Sequence, residues 1–211
     1  MPSPTTSAQL LSISTALVSA GGIATLSLFD VPELQSQPAS RSLPSTRWLF
    51  SRGSHIFPAA SAITSATFAY LAYAARPAAA LPLLQVLQHG RVPGYIAAAV
   101  LTISIAPVTT LLMVPTNFRL IELNEELGGA RSQRNDGAGA GQRSALESVD
   151  GKGQVNQFRD VSGPQGKTGR DSTKAEDEEV RELLGTFGRL NGLRALLMAA
   201  GGVVGLATAL A

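Results

Sequence analysis

The chain has 211 residues with 17 Lys and Arg, 15 Asp and Glu, two histidines and no cysteine. The lack of cysteine excludes disulfides, thiol nucleophiles and thiolate metal sites, and a net charge of +2 gives no basic patch for nucleic acid. With two histidines, no thiols and no acids in the apolar stretches, too few ligands exist for a metal centre, and no haem or nicotinamide signature is present.

Charge is confined. Outside residues 118–194 the only acids are Asp30 and Glu33, and the only bases are Arg41, Arg47, Arg52, Arg76 and Arg91. Four stretches, 8–29, 55–75, 94–114 and 190–210, reach the roughly 20 apolar residues that a bilayer span needs. The first three carry no charge at all, which is rare in a soluble bundle. Residues 8–29 also invite comparison with a signal peptide. They lack a basic leader and are long for a signal core, so a retained span is expected.

In the first span Ser12, Ala16, Ala20 and Ala24 recur at fourfold spacing, a register that lets helix backbones approach closely in lipid or reflects alanine richness alone. Residues 30–53, with Pro32, Pro38 and Pro44, read as a polar loop, and Trp48 near its end reads as an interfacial anchor. The second span opens on S-H-I-F-P, which puts His55 at a membrane boundary and Pro58 in a first turn that tolerates it. Tyr70 and Tyr73 near its other end read as belt residues. The piece L-P-L-L-Q-V-L-Q-H at 81–89 is too short to span and is expected to lie along the interface.

The third span ends in P-V-T-T-L-L-M-V-P-T-N-F-R-L-I-E-L, residues 107–123. Thr109, Met113, Thr116 and Leu120 share one helical face, and Pro115 crowds the carbonyl of Leu111, so a kink is expected just before Thr116 and Asn117. Residues 128–175 are rich in glycine, serine and charge, with too little apolar surface to offset chain entropy, and read as disordered. Within them P-Q-G-K-T-G lacks the first glycine of a phosphate loop and follows no strand, so it is dismissed as a nucleotide site. From Lys174 an acid-rich run begins a helix, with Thr173 as cap, that continues into the fourth span. Gly188 with Gly192, and Gly201 with Gly205, are small-x-x-x-small pairs. Counting Lys and Arg puts the first and third loops on the cytosolic side and both termini in the lumen.

Intramembrane polar groups are costly and point to function. Arg194 lies about one turn inside the fourth span with no acid there to pair with; it either snorkels outward or turns inward, where its fork of donors suits an anionic oxygen. Asn191 lies one turn earlier on the same face, and Asn117 ends the third span; the two asparagines could bind a ligand or each other. Histidine as a side chain suits a general base near neutral pH, so His55 is a candidate base, or it is a solvated boundary residue.

The run at 107–120 resembles the third-span motif of the anthrone oxygenase family, small four-span membrane proteins of fungal aromatic polyketide pathways. F-G-R-L-N-G-L-R-A, residues 187–195, resembles its fourth-span pattern, with Phe187 where tryptophan is expected, and G-S-H-I-F-P fits its G-x-x-x-x-P. The resemblance covers the four spans and leaves 128–175 as an insertion. It implies oxidation of an anthrone to an anthraquinone by O2 with no cofactor, metal or flavin. Removing a proton from the central methylene gives an electron-rich carbanion that reacts with oxygen, so the protein needs an apolar slot, a base and oxyanion donors. The expected catalytic residues are His55, Asn117, Asn191 and Arg194, and the expected substrate contacts are Thr109, Met113, Thr116 and Phe187. Expected partners are the anthrone, O2, membrane lipid and soluble pathway enzymes; no nucleic acid is expected.

The reading is therefore an all-α integral membrane four-helix bundle with a long disordered loop between the third and fourth spans. Residues 1–127 hold three spans, 128–175 a polar insertion, and 176–211 an amphipathic lead-in and the fourth span. The expected location is the endoplasmic reticulum or a related endomembrane. The rival reading is a non-catalytic tetraspan scaffold that anchors pathway enzymes through the polar loop.

Overall fold

The computed structural model describes residues 3–77, 82–136, 143–151 and 153–211. It is an all-helical four-helix bundle, with no strand among the described residues. Four helices, Pro4–Gln35, Ala39–Ala74, Val92–Glu126 and Lys174–Leu210, are long and apolar enough to cross a membrane by length and composition. At about 1.5 Å per residue each exceeds the roughly 30 Å hydrocarbon layer, so each also carries an extramembrane stretch.

The elements in chain order are α1 (Pro4–Thr25), a π-helical segment (Leu26–Asp30), α2 (Val31–Gln35), α3 (Ala39–Ala74) and α4 (Leu83–Leu87). Then come α5 (Val92–Ile103), α6 (Ile105–Pro107), a second π-helical segment (Val108–Met113), α7 (Val114–Glu126), a 3₁₀ turn (Gln133–Asn135), α8 (Ala145–Asp150) and α9 (Lys174–Leu210). Each π segment ends just before a helix with proline in its first turn, Pro32 in α2 and Pro115 in α7. A proline gives no N–H and crowds the carbonyl four residues back, Leu28 or Leu111, and a locally widened turn accommodates both effects. At Pro115 the sequence reading expected a kink; the structure has this widened turn.

The expected polar loop at 30–53 is a correction. Only 36–38 break the helices, and α3 already begins at Ala39. The start of α3 is held by acceptors distant in sequence: Ala39 N–H donates to Asp177 Oδ1 at 2.7 Å, and Ser40 N–H donates to Ser172 Oγ at 3.1 Å. These bonds satisfy amides that every helix start leaves open.

The chain divides into two units. The first comprises residues 1–24, 57–108 and 191–211. It contains none of the acids and only three arginines, Arg76, Arg91 and Arg194. Ser61 Oγ donates to Thr102 O and Ser65 Oγ to Ala99 O, at 2.8 and 3.0 Å, which sets the two helices antiparallel. The small residues expected to allow close approach do so. Ser12, Ala16 and Ala20 are buried, and a Cβ at Gly202 would meet Leu17 at 2.8 Å and Ala16 at 3.1 Å. A Cβ at Gly205 would overlap the buried ring of Phe68. Gly192 departs from the pattern, with nothing within 4 Å of such a Cβ. Tyr70 and Tyr73 are exposed, as belt residues are. In α4, Leu84, Gln85 and Leu87 are exposed and Val86 is half-buried, while Leu81 of the expected interfacial piece lies outside the described residues.

The second unit comprises residues 25–56 and 109–190. Its apolar core takes Val31 and Leu34 from α2, Leu43 from α3, Leu120 and Leu123 from α7, and Val180 and Leu184 from α9. Thr173 caps α9 reciprocally: Glu176 N–H donates to Thr173 Oγ1 at 3.3 Å, and Thr173 N–H donates to Glu176 Oε2 at 2.7 Å.

Several described residues of segment 128–175, for which composition suggests disorder, make polar contacts. Arg47 donates to Ser148 O at 2.6 Å, at the carbonyl end of α8, where the helix dipole favours a cation. Trp48 Nε1 donates to Ser162 O at 2.9 Å, so the expected interfacial anchor serves inside this unit. Arg52 donates to Gln157 O at 2.8 Å and to Asp160 O at 2.5 Å. P-Q-G-K-T-G is used structurally: Gln165 Oε1 accepts from Ala130 N–H at 2.7 Å, and Thr168 N–H donates to Ser40 O at 2.8 Å. The glycine-rich piece at 137–142 lies outside the described residues.

Candidate functional site

Arg194 and Asn191 sit one turn apart on α9 in the apolar first unit. Arg194 Nη1 donates to Asn191 Oδ1 at 2.8 Å. Asn191 is fully buried and Arg194 is 7% exposed, so the arginine turns inward and does not snorkel. The guanidinium carbon lies 5.9 Å from the Phe57 ring centroid, within cation–π range. Ala195 and Met198, from the next turns of α9, pack with Ala20, Ile23 and Ile105. No Asp or Glu side chain belongs to this unit. Asn191 Oδ1 is taken by the arginine, and its amide Nδ2 is buried with no hydrogen-bond partner among the described residues. The pair therefore presents donors in apolar surroundings, the arrangement that stabilises an anionic oxygen.

The other expected site residues belong to the second unit. Asn117 is half-buried, and its Oδ1 is buried with no hydrogen-bond partner among the described residues. Met113 and Phe187 come together in the apolar core, with Phe187 against Phe50 at 5.0 Å between ring centroids. Thr109 and Thr116 are half-buried on the same stretch. His55 is exposed; its ring lies 4.8 Å from that of Phe158 and its Nε2 contacts the side-chain amide of Gln157. The structure thus joins Asn191 to Arg194, puts Met113 and Phe187 in one apolar core, and places His55 against the polar segment.

Sequence reasoning missed the polar cluster around Asp160. Its Oδ2 accepts from Ser132 Oγ and, at 3.0 Å, from Asn135 Nδ2; its Oδ1 accepts from Ser162 Oγ at 2.7 Å and Ser162 N–H at 3.0 Å. Burial pushes this carboxyl up, but the bonds from Ser132 and Ser162 outweigh it and hold the group below its ordinary value. Nearby, burial pushes the Arg131 guanidinium down, opposed by the Asp160 carboxylate. No periodicity marks such a cluster, because its members are loop residues brought together only by folding. Arg119 ties α7 to α9 through Glu179 at 2.8 Å and also meets Glu122 and Glu126, a surface role. Among the described residues no group of three or more His, Cys, Asp or Glu could hold a metal.

These features define a class: a multi-pass membrane protein built as a four-helix bundle, with an arginine–asparagine pair buried where no acid is present. Residues 47–204 match the anthrone oxygenase family, and the chain belongs to that family. No curated protein and no solved structure matches the chain.

Proposed function

We propose that the protein is a cofactor-independent oxygenase that converts a polyketide anthrone to its anthraquinone with O2, in secondary metabolite biosynthesis at the endoplasmic reticulum or a related endomembrane. The central CH2 of the anthrone loses a proton. The carbanion passes electrons to O2, and the resulting hydroperoxide loses water to leave the ketone. One oxygen atom enters the product and the other leaves as water. The observation that carries this reading is the buried Asn191 Nδ2 without a partner beside Arg194. Together they are donors for the oxyanion that develops when the methylene is deprotonated. His55 is the proposed base, and Asn117 a proposed contact to substrate oxygen. Thr109, Met113, Thr116 and Phe187 are proposed contacts to the flat rings.

Oxygen uptake by purified membranes given an emodin-type anthrone, with chelator present, tests the reading. Uptake above the uncatalysed rate and insensitive to chelator is expected; uptake at the uncatalysed rate would overturn it. The scaffold reading draws on exposed apolar residues of the polar segment, Phe158 and Val161, which are 73% and 93% exposed. On that reading Val161→Ser would abolish recruitment of a soluble partner, and the wild-type membranes would take up oxygen only at the uncatalysed rate.

A further inference from the structure

The first unit holds a second polar locus. A cavity of about 280 Å³ opens where α1 begins, α3 ends and α5 begins. Gln9, His89, Arg91 and Tyr95 form its polar wall, and Leu71 and Ala75 part of its apolar wall. None of the residues discussed for oxidation lines it. Gln9 Nε2 donates to the Tyr95 hydroxyl at 2.7 Å, and Tyr95 is 2% exposed. The phenolic oxygen thus accepts from the amide, and its own proton has no acceptor among the described residues. Arg91, His89 and the Tyr95 hydroxyl bring donors to this lining, and no Asp or Glu belongs to this unit.

We propose that this cavity binds the phosphate of an anionic phospholipid headgroup, held by Arg91, His89 and the Tyr95 hydroxyl. Phosphate offers several acceptor oxygens to the donors of Arg91, His89 and the Tyr95 hydroxyl. Three features favour a lipid over a free ion. The cavity is far larger than a tetrahedral oxyanion fills, and it approaches the roughly 300 Å³ at which small-molecule pockets begin. Its second wall is apolar, as the glycerol and first acyl carbons require. Its residues also fall where the uncharged stretches 8–29, 55–75 and 94–114 begin or end, which is headgroup depth for a spanning helix.

The test uses the full-length protein purified in detergent, titrated with short-chain phosphatidic acid, with phosphatidylcholine of the same chain length, and with inorganic phosphate. Thermal melting and native mass spectrometry give the readout. Phosphatidic acid is expected to bind and raise the melting temperature, with phosphatidylcholine at least about tenfold weaker and inorganic phosphate weaker still. Arg91→Gln with His89→Gln, two exposed positions whose exchange leaves the core intact, is expected to weaken phosphatidic acid about tenfold or more. Tyr95→Phe is expected to weaken it while the protein still melts cooperatively. Equal binding of both lipids, or unchanged affinity in the double variant, would overturn the proposal. Inorganic phosphate binding as tightly as phosphatidic acid would overturn the lipid as the source.

Discussion

Arg194 spends one of its donors on Asn191 Oδ1, at 2.8 Å, and by doing so leaves the asparagine amide Nδ2 a buried donor with no partner among the described residues. Neither residue alone would produce that arrangement. Asn191 by itself could present either its oxygen or its amide, and the arginine fixes which one remains open. Replacing Asn191 with leucine or Arg194 with methionine is expected to lower the rate of anthrone oxidation by about 10²–10³, the loss typical of removing one oxyanion donor. Arg194→Lys keeps the charge but loses the planar fork, and is expected to recover only part of the rate. Oxygen-uptake rates corrected for the spontaneous reaction, on membranes matched for protein content, decide this. Wild-type rates in both loss variants would remove the pair from the mechanism.

The two glycines at the ends of α9's apolar stretch are expected to behave in opposite ways. Gly205 faces the fully buried ring of Phe68, so Gly205→Leu overpacks a fixed contact and should cost about 1–3 kcal/mol. Gly192 has nothing within 4 Å of an added Cβ. Gly192→Ala should therefore be neutral, or stabilising by up to about 1 kcal/mol through helix propensity. Thermal melts of the two variants in one detergent would read this directly, and equal melting temperatures would contradict it.

Asp160 gives the second unit an acid-sensitive hold. Its carboxyl lies below the ordinary value, against the upward push of burial, because Ser132 and Ser162 donate to it. A depressed carboxylate stabilises the fold above its unfolded value, near 3.9, and that contribution is lost as pH falls from there through the folded value. Trp48, the one tryptophan of the chain, donates to Ser162 O and so reports on this region. Its emission should shift to the red as pH falls below about 4. Ser132→Ala should move that transition to higher pH. A transition unmoved by Ser132→Ala would separate the two events.

Asp177 caps α3 from another helix: its Oδ1 accepts from Ala39 N–H at 2.7 Å and from Ser172 Oγ at 2.6 Å. Asp177→Ala should cost about 0.5–2 kcal/mol, as the loss of an N-cap does. Hydrogen exchange should show the first turn of α3 opening while its apolar half stays protected. Protection that falls evenly along α3 would argue against a local cap.

The four spans were legible because lipid demands length, apolarity and the absence of charge, and all three are one-dimensional properties. Gly201 with Gly205 and the small residues of α1 were legible for a related reason, since fourfold spacing is a face. The helix at 39–53 was less so. Its prolines and serines suggest a loop, yet Asp177 and Ser172, over 130 residues away, hold its start. The polar segment was unreadable in the same way. Composition correctly counts its few apolar residues but cannot count the carbonyls that Arg47, Trp48 and Arg52 would find there.

The candidate site divides along that line too. By itself the sequence determined that Arg194 and Asn191 share a helical face and that no acid accompanies them in their span, because helical periodicity and charge content need no partner to be read. Only tertiary structure decided that Arg194 turns inward onto Asn191, that His55 stands exposed against Phe158, and that Gln9, His89, Arg91 and Tyr95 share one cavity. Those outcomes depend on which side chains helices distant in sequence bring into reach, and packing alone sets that.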